Sequence, residues 1–111
     1  MEEALLMRHP AAIGLILLTL GAVPAAAQSG RVAGSVIDET GAVLPGATVT
    51  LTGPGGARAT PSDGSGEYAF AGLVAGTYTV TVALSGFSDA AVEGVVVTDA
   101  PLELPPVILS L

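Results

Sequence analysis

The side chains able to do chemistry in this sequence are few and nearly all of one kind. Its only histidine is His9, and beyond residue 27 there is no Lys, Cys, Asn, His or Trp. A Ser-His-Asp triad would lack its base, a histidine-ligated zinc its ligands, and a Schiff-base mechanism its amine. Carboxylates remain. Asp63 and Glu67 flank the Gly-rich segment Pro61-Ser62-Asp63-Gly64-Ser65-Gly66, and calcium accepts such a pair when backbone carbonyls complete its shell. The plainer reading makes Asp63 the head of an Asx turn and Glu67 a solvated strand residue. Asp38 and Glu39 likewise begin a turn. Glycoside hydrolysis by paired carboxylates needs a cleft with rings to stack the sugar, and the chain has four aromatics, Tyr68, Phe70, Tyr78 and Phe87. The expectation is therefore no catalytic residue, no metal site and no cofactor.

Those four rings could instead mark a carbohydrate-binding face. Their placement in the pattern argues otherwise, because Tyr68, Phe70 and Tyr78 occupy inward positions of alternating segments and Phe87 follows a turn glycine. Packed rings with tyrosine hydroxyls reaching the rim for a partner are the expected arrangement.

The elements that must position these residues are short strands. Residues 31–38 alternate Val32, Gly34 and Val36 with Ala33, Ser35 and Ile37, and stop at Glu39-Thr40-Gly41. Leu44-Pro45-Gly46 is a turn in which Pro presets one corner and Gly tolerates positive φ at the next. Ala47 to Thr52 places Val49 and Leu51 on one face and three threonines on the other, the pattern of a sheet wet on one side. Gly53-Pro54-Gly55-Gly56 closes that strand, and a short one follows at Arg58–Thr60. Glu67 to Phe70 comes after the Asp63 loop. Thr77 to Leu84 alternates for eight residues and reads as a central strand. Ala91 to Thr98 and Val107 to Leu111 complete the set, with Pro105 and Pro106 confining the start of the last to a sheet edge. Seven short strands without a helical period predict an all-β, seven-stranded Greek-key β-sandwich.

Ahead of this domain lies an address. Ala11 to Ala27 carries no charge, is rich in Leu and Ile, and ends in Ala25-Ala26-Ala27, as a secretory signal helix does. Residues 1–27 are thus expected to be a signal peptide cleaved between Ala27 and Gln28, leaving residues 28–111 as the mature domain. Glu2 and Glu3 sit where positive charge belongs, and a start at Met7 in place of Met1 would remove them. An uncleaved anchor is the alternative, and the segment would then be the chain's contact with a membrane. The mature part keeps Arg31 and Arg58 against eight carboxylates, a net charge of −6, which repels phosphate backbones and excludes nucleic acid as a partner.

The turn residues and their order resemble a known family. Gly34-Ser35-Val36-Ile37-Asp38, then Gly41 and Leu44-Pro45-Gly46-Ala47, are similar to the opening of the carboxypeptidase regulatory-like domain. Asp63, Gly66, Tyr68 and Phe70 match its next loop, Gly72-Leu73-Val74-Ala75-Gly76-Thr77-Tyr78 its following corner, and Gly86-Phe87 completes the pattern. Departures are Ser62 where Thr is usual and Pro105-Pro106 where strand residues are expected. The resemblance implies a transthyretin-like, or prealbumin-like, sandwich with a carbohydrate-binding-like fold. It also implies an accessory role, since such modules follow the catalytic domain of some metallocarboxypeptidases and precede the barrel of TonB-dependent outer-membrane receptors. The expected function is a non-catalytic exported module with a structural or protein-interaction role in the cell envelope, either an orphan or an N-terminal piece of a larger receptor. Its partner would be a protein or another envelope component, and the competing reading is a small carbohydrate- or peptide-binding module. Burial of both tyrosine rings would favour the first reading, and a ring exposed on a concave face the second.

Overall fold

A computed structural model describes residues 29–111. The signal segment, the Ala27–Gln28 junction and the choice between Met1 and Met7 lie outside the described residues. Within them the chain forms eight strands and no helix: β1 Gly30–Asp38, β2 Thr48–Gly53, β3 Gly56–Pro61, β4 Glu67–Leu73, β5 Gly76–Ala83, β6 Ala90–Val97, β7 Pro101–Glu103 and β8 Val107–Leu109.

Two sheets result. In the first, β1 is flanked by antiparallel β4 on one side and by parallel β7 and β8 on the other; the second runs β3-β2-β5-β6, all antiparallel. β5 is central, as its unbroken alternation predicts. The two inner faces supply the core: Val32 and Val36 from β1, Val49 and Leu51 from β2, Tyr78, Val80 and Val82 from β5, and Val95 and Val97 from β6, with Tyr68, Phe70 and Leu73 from β4 and Val107 and Leu109 from β8. Phe87 is half-buried and packs against this cluster. This is a sandwich-like all-β domain whose interior is built largely from valines, with leucines and three rings filling most of the rest.

The strand count corrects the expectation of seven. The additional strand is β7, which pairs Arg31, Val32 and Ala33 with Pro101, Leu102 and Glu103, while β8 continues along the same side of β1 from Val36 to Asp38. Leu104, Pro105 and Pro106 separate the two. A proline has no amide proton for the ladder, so the outermost strand breaks there and resumes after it. β6 departs from simple alternation as well. Tyr78 pairs with Val95 and Val80 with Val92, so β6 spends one residue more than β5 between those pairs. Gly94, at φ 69°, makes that bulge sterically accessible, and it turns Val95 and Val97 inward while Val96 faces solvent.

Candidate functional site

The polar residues singled out in the sequence come together at one end of the sandwich, where they hold loops. Asp38 Oδ1 accepts from the Thr40 amide at 2.8 Å, the Thr40 hydroxyl at 2.6 Å and the Ala42 amide at 3.0 Å. The Asp38 amide donates to the Ala42 carbonyl at 2.9 Å, and the Gly41 amide to the Asp38 carbonyl at 3.0 Å. The Thr40 hydroxyl first, and then the amides of Ala42, Thr40 and Gly41, hold the Asp38 carboxyl below its ordinary 3.8 against desolvation, which opposes them more strongly than any single amide lowers it.

Asp63 repeats the device. Its Oδ1 accepts from the Ser65 and Glu67 amides, both at 2.9 Å, its amide donates to the Glu67 carbonyl at 2.8 Å, and the Gly66 amide donates to the Asp63 carbonyl at 2.9 Å. Asp38-Glu39-Thr40-Gly41-Ala42 and Asp63-Gly64-Ser65-Gly66-Glu67 are therefore the same five-residue loop. In both, the fourth residue is a glycine at positive φ, 89° at Gly41 and 74° at Gly66, a conformation that penalises any side chain. The loops are tied together through β1, because the Val36 amide donates to the Gly66 carbonyl at 2.7 Å and the Leu44 amide to the Val36 carbonyl at 3.0 Å. Asp63 thus behaves as the Asx-turn reading requires. Glu67 starts β4 in solvent. Among the described residues no three His, Cys, Asp or Glu side chains are grouped closely enough to hold a metal ion.

Ser62, which the sequence marked only as a departure from the family pattern, is, tyrosines aside, the one polar residue buried among the described residues. Its hydroxyl donates to the Leu44 carbonyl at 2.7 Å and accepts from the Ala47 amide at 2.9 Å, and its amide donates to the Ala47 carbonyl at 2.8 Å. The Leu44-Pro45-Gly46-Ala47 turn, with Gly46 at φ 77°, is fastened to the end of β3 by this single residue. Nothing in a Pro-Ser-Asp-Gly string distinguishes such a serine from a solvated loop serine.

The tyrosines divide. Tyr68 is 4% exposed and Tyr78 3%, so both rings lie inside as expected. The Tyr78 hydroxyl donates to the Val74 carbonyl at 2.8 Å. The Tyr68 hydroxyl corrects the expectation of a rim partner: it is buried and makes no hydrogen bond. It lies over Gly34, where a β-carbon would stand 2.5 Å from it, and burial, with the Glu103 charge second, pushes its pKa above the ordinary 10.0. Arg58 reaches from β3 across the sandwich edge, donating to the Ala71 carbonyl of β4 at 2.7 Å with its guanidinium 5.9 Å from the Phe70 ring centroid.

Two shallow surface cavities have room for a small ligand. One of about 390 Å³ is bordered by Arg31, Thr60, Asp63, Glu67, Tyr68 and Glu103. The other, of about 520 Å³, lies among Gly46, Thr48, Phe87 and Asp89. The aromatic ring at the border of each is largely withdrawn into the core, Tyr68 at the first being buried and Phe87 at the second half-buried. Leu73, Gly76 and Gly86 likewise serve the fold: Leu73 packs in the core, Gly86 turns the chain at φ 88°, and a β-carbon on Gly76 would meet the Pro54 ring.

Comparison with known proteins agrees with this picture. No curated protein matches the sequence. Among solved structures, a chain of a type II Cohesin-X-Dockerin complex from Acetivibrio cellulolyticus is similar at 26% identity and a TM-score of 0.60, over 71% of this chain and 56% of that one. A candidate carbohydrate binding protein of Bacteroides uniformis is similar at 21% identity and a TM-score of 0.58, over 71% and 40% of the two chains. The group B streptococcus pilus 2b backbone protein follows at 19% and 0.57, over 74% and 41%. The match thus spans little more than half of the first chain and less than half of the other two. The sequence profile of the carboxypeptidase regulatory-like domain matches residues 31–104. With that profile covering most of the sequence, the chain belongs to the carboxypeptidase regulatory-like domain family.

Proposed function

We propose that this chain is a non-catalytic module, exported by way of residues 1–27 and acting in the cell envelope through contacts with another protein. The observation that carries the reading is that the two loop aspartates and both tyrosines, the residues the sequence offered for a site, are spent on the fold. Asp38 and Asp63 hold loops, and Tyr68 and Tyr78 fill the core. A β-sandwich similar to a chain of a Cohesin-X-Dockerin complex and to a pilus backbone protein is consistent with an accessory or assembly role. We take the winding to be the seven-strand Greek key of transthyretin-like domains, with β7 and β8 as one strand interrupted at Pro105 and Pro106. Membership of a larger receptor of the TonB-dependent kind fits the same reading. The burial of both tyrosine rings weighs against the carbohydrate-binding alternative, which needs an exposed stacking face.

The test is to express the full chain with an epitope tag after Leu111 and to recover it from cell fractions. The expected product begins at Gln28, is found in the envelope, and cross-links to protein there. A product that stays in the cytoplasm with its N-terminus intact, or one that retains polysaccharide and no protein, would contradict the proposal.

A further inference from the structure

Three of the four outer strand edges resist an added strand. The β7 and β8 edge contains Pro101 and is broken by Pro105 and Pro106, which donate nothing. On β4 the Ala71 carbonyl is taken by Arg58. β6 carries the Gly94 bulge, and beside it the Ser88 amide donates to the Ser110 carbonyl at 2.7 Å. Bulges, prolines and covering side chains are the usual means of closing an edge.

β3 has none of these along most of its length. Its pairing with β2 is unbroken from Gly53↔Gly56 to Thr48↔Pro61. Pro54 and Gly55 form a two-residue loop, so the closing Gly53↔Gly56 pair exchanges both of its amide bonds, and Leu51↔Arg58 and Val49↔Thr60 do the same by alternation. The Ser62 amide bonded to the Ala47 carbonyl continues that alternation. The amides and carbonyls of Ala57 and Ala59, and the Pro61 carbonyl, consequently point away from β2, and they have no partner among the described residues.

We propose that this edge pairs antiparallel with the β3 edge of a second copy of the chain. The edge complements itself in one register. Centred on Ala59, it sets Ala59 against Ala59 of the second copy with both bonds exchanged, and lets each Ala57 amide donate to the opposite Pro61 carbonyl. Arg58 then faces a threonine, Thr60 of the second copy. Shifted by one pair toward the β2–β3 loop, the register would set the two Arg58 side chains directly opposite each other, which like charges disfavour, and shifted the other way it would set Pro61, which has no amide proton, against Ala59 and halve the number of bonds. Charge also selects this side of the molecule. The mature chain is strongly acidic, yet the side chains that share the outer face along this edge are Thr48, Thr50, Thr52, Ala57 and Ala59, without a carboxylate among them. Pairing there joins two sheets into one continuous sheet at the least electrostatic cost. The inference goes beyond the proposed envelope role and does not depend on it.

The chain contains no cysteine, so a single introduced one is diagnostic. In a hydrogen-bonded antiparallel pair the opposed Cα atoms lie about 5.5 Å apart, within the span of a disulfide. Ala59→Cys in the full chain should therefore oxidise to a covalent dimer. Ala57→Cys should not, because the two copies of that position lie four residues apart along the pairing, about 14 Å. In sedimentation equilibrium Ala59→Pro, which removes the central amide, should weaken self-association at least tenfold, while Ala59→Thr, which keeps it, should retain association. Absence of self-association in the unmodified chain, equal cross-linking at both positions, or dimerisation undiminished in Ala59→Pro with unchanged circular dichroism would each overturn the proposal.

Discussion

Tyr68 and Tyr78 are equally buried residues with opposite polar accounts. Removing the hydroxyl of Tyr78 leaves the Val74 carbonyl without its donor and should cost about 1 kcal/mol. Removing that of Tyr68 deletes a buried polar group with no partner, and Tyr68→Phe should leave stability unchanged or raise it, as urea unfolding of the two variants will report. Ser62→Ala strands both the Leu44 carbonyl and the Ala47 amide in a buried place, for an expected loss of about 1–3 kcal/mol in the same experiment. Asp38 gives a pH signature. Its folded carboxyl is held below 3.8, chiefly by the Thr40 hydroxyl, so its contribution is complete above that value and is lost as pH falls through the lowered folded value. Asp38→Asn should accordingly unfold at a lower temperature than the parent at neutral pH, and the gap should narrow as the medium is acidified below that ordinary value. Of these roles the sequence revealed the turn-forming aspartates, because an Asp with a hydroxyl residue two positions on and a Gly three positions on forms its turn locally. It concealed Ser62 and the Tyr68 hydroxyl, whose partners, present or missing, are set by segments distant in the chain.

Strands were legible where one face is wet. Thr48–Gly53 and Gly76–Ala83 alternate cleanly because each inward Val, Leu or Tyr is followed by an outward Thr or Ala, and their burial follows that order. β6 was legible as a strand but not in its phase, since a glycine inside a valine run does not announce whether it will adopt positive φ. Space is open around a β-carbon at Gly94, so Gly94→Ala isolates the backbone term. It should cost roughly 1–2 kcal/mol, the penalty for a left-handed L-residue, measured by chemical denaturation. β7 escaped notice because Pro101-Leu102-Glu103 is too short to show a period; only its pairing with Arg31, Val32 and Ala33 defines it. The prolines that interrupt the outer strand also explain why it ends up at an edge, where missing amides cost the sheet least.

In the molecule as a whole, the tyrosine rings and the Asp38 and Asp63 carboxylates are turned to internal use, leaving strand edges and outer faces as the surfaces that can meet a partner. The order of turn residues disclosed the family because those residues sit where the backbone itself demands them, at Gly41, Gly46, Gly66 and Gly86. The partner was not legible, since an edge is recognised through backbone groups that every sequence shares. The chain has two tyrosines and no tryptophan, so its ultraviolet fluorescence reports on Tyr68 and Tyr78 alone. Iodide quenching of that emission is the most direct measurement. The account predicts weak quenching in the folded chain, strong quenching after unfolding in urea, and no change when polysaccharide is added. Strong quenching in the folded chain, relieved by polysaccharide, would place a ring at the surface against sugar and contradict it.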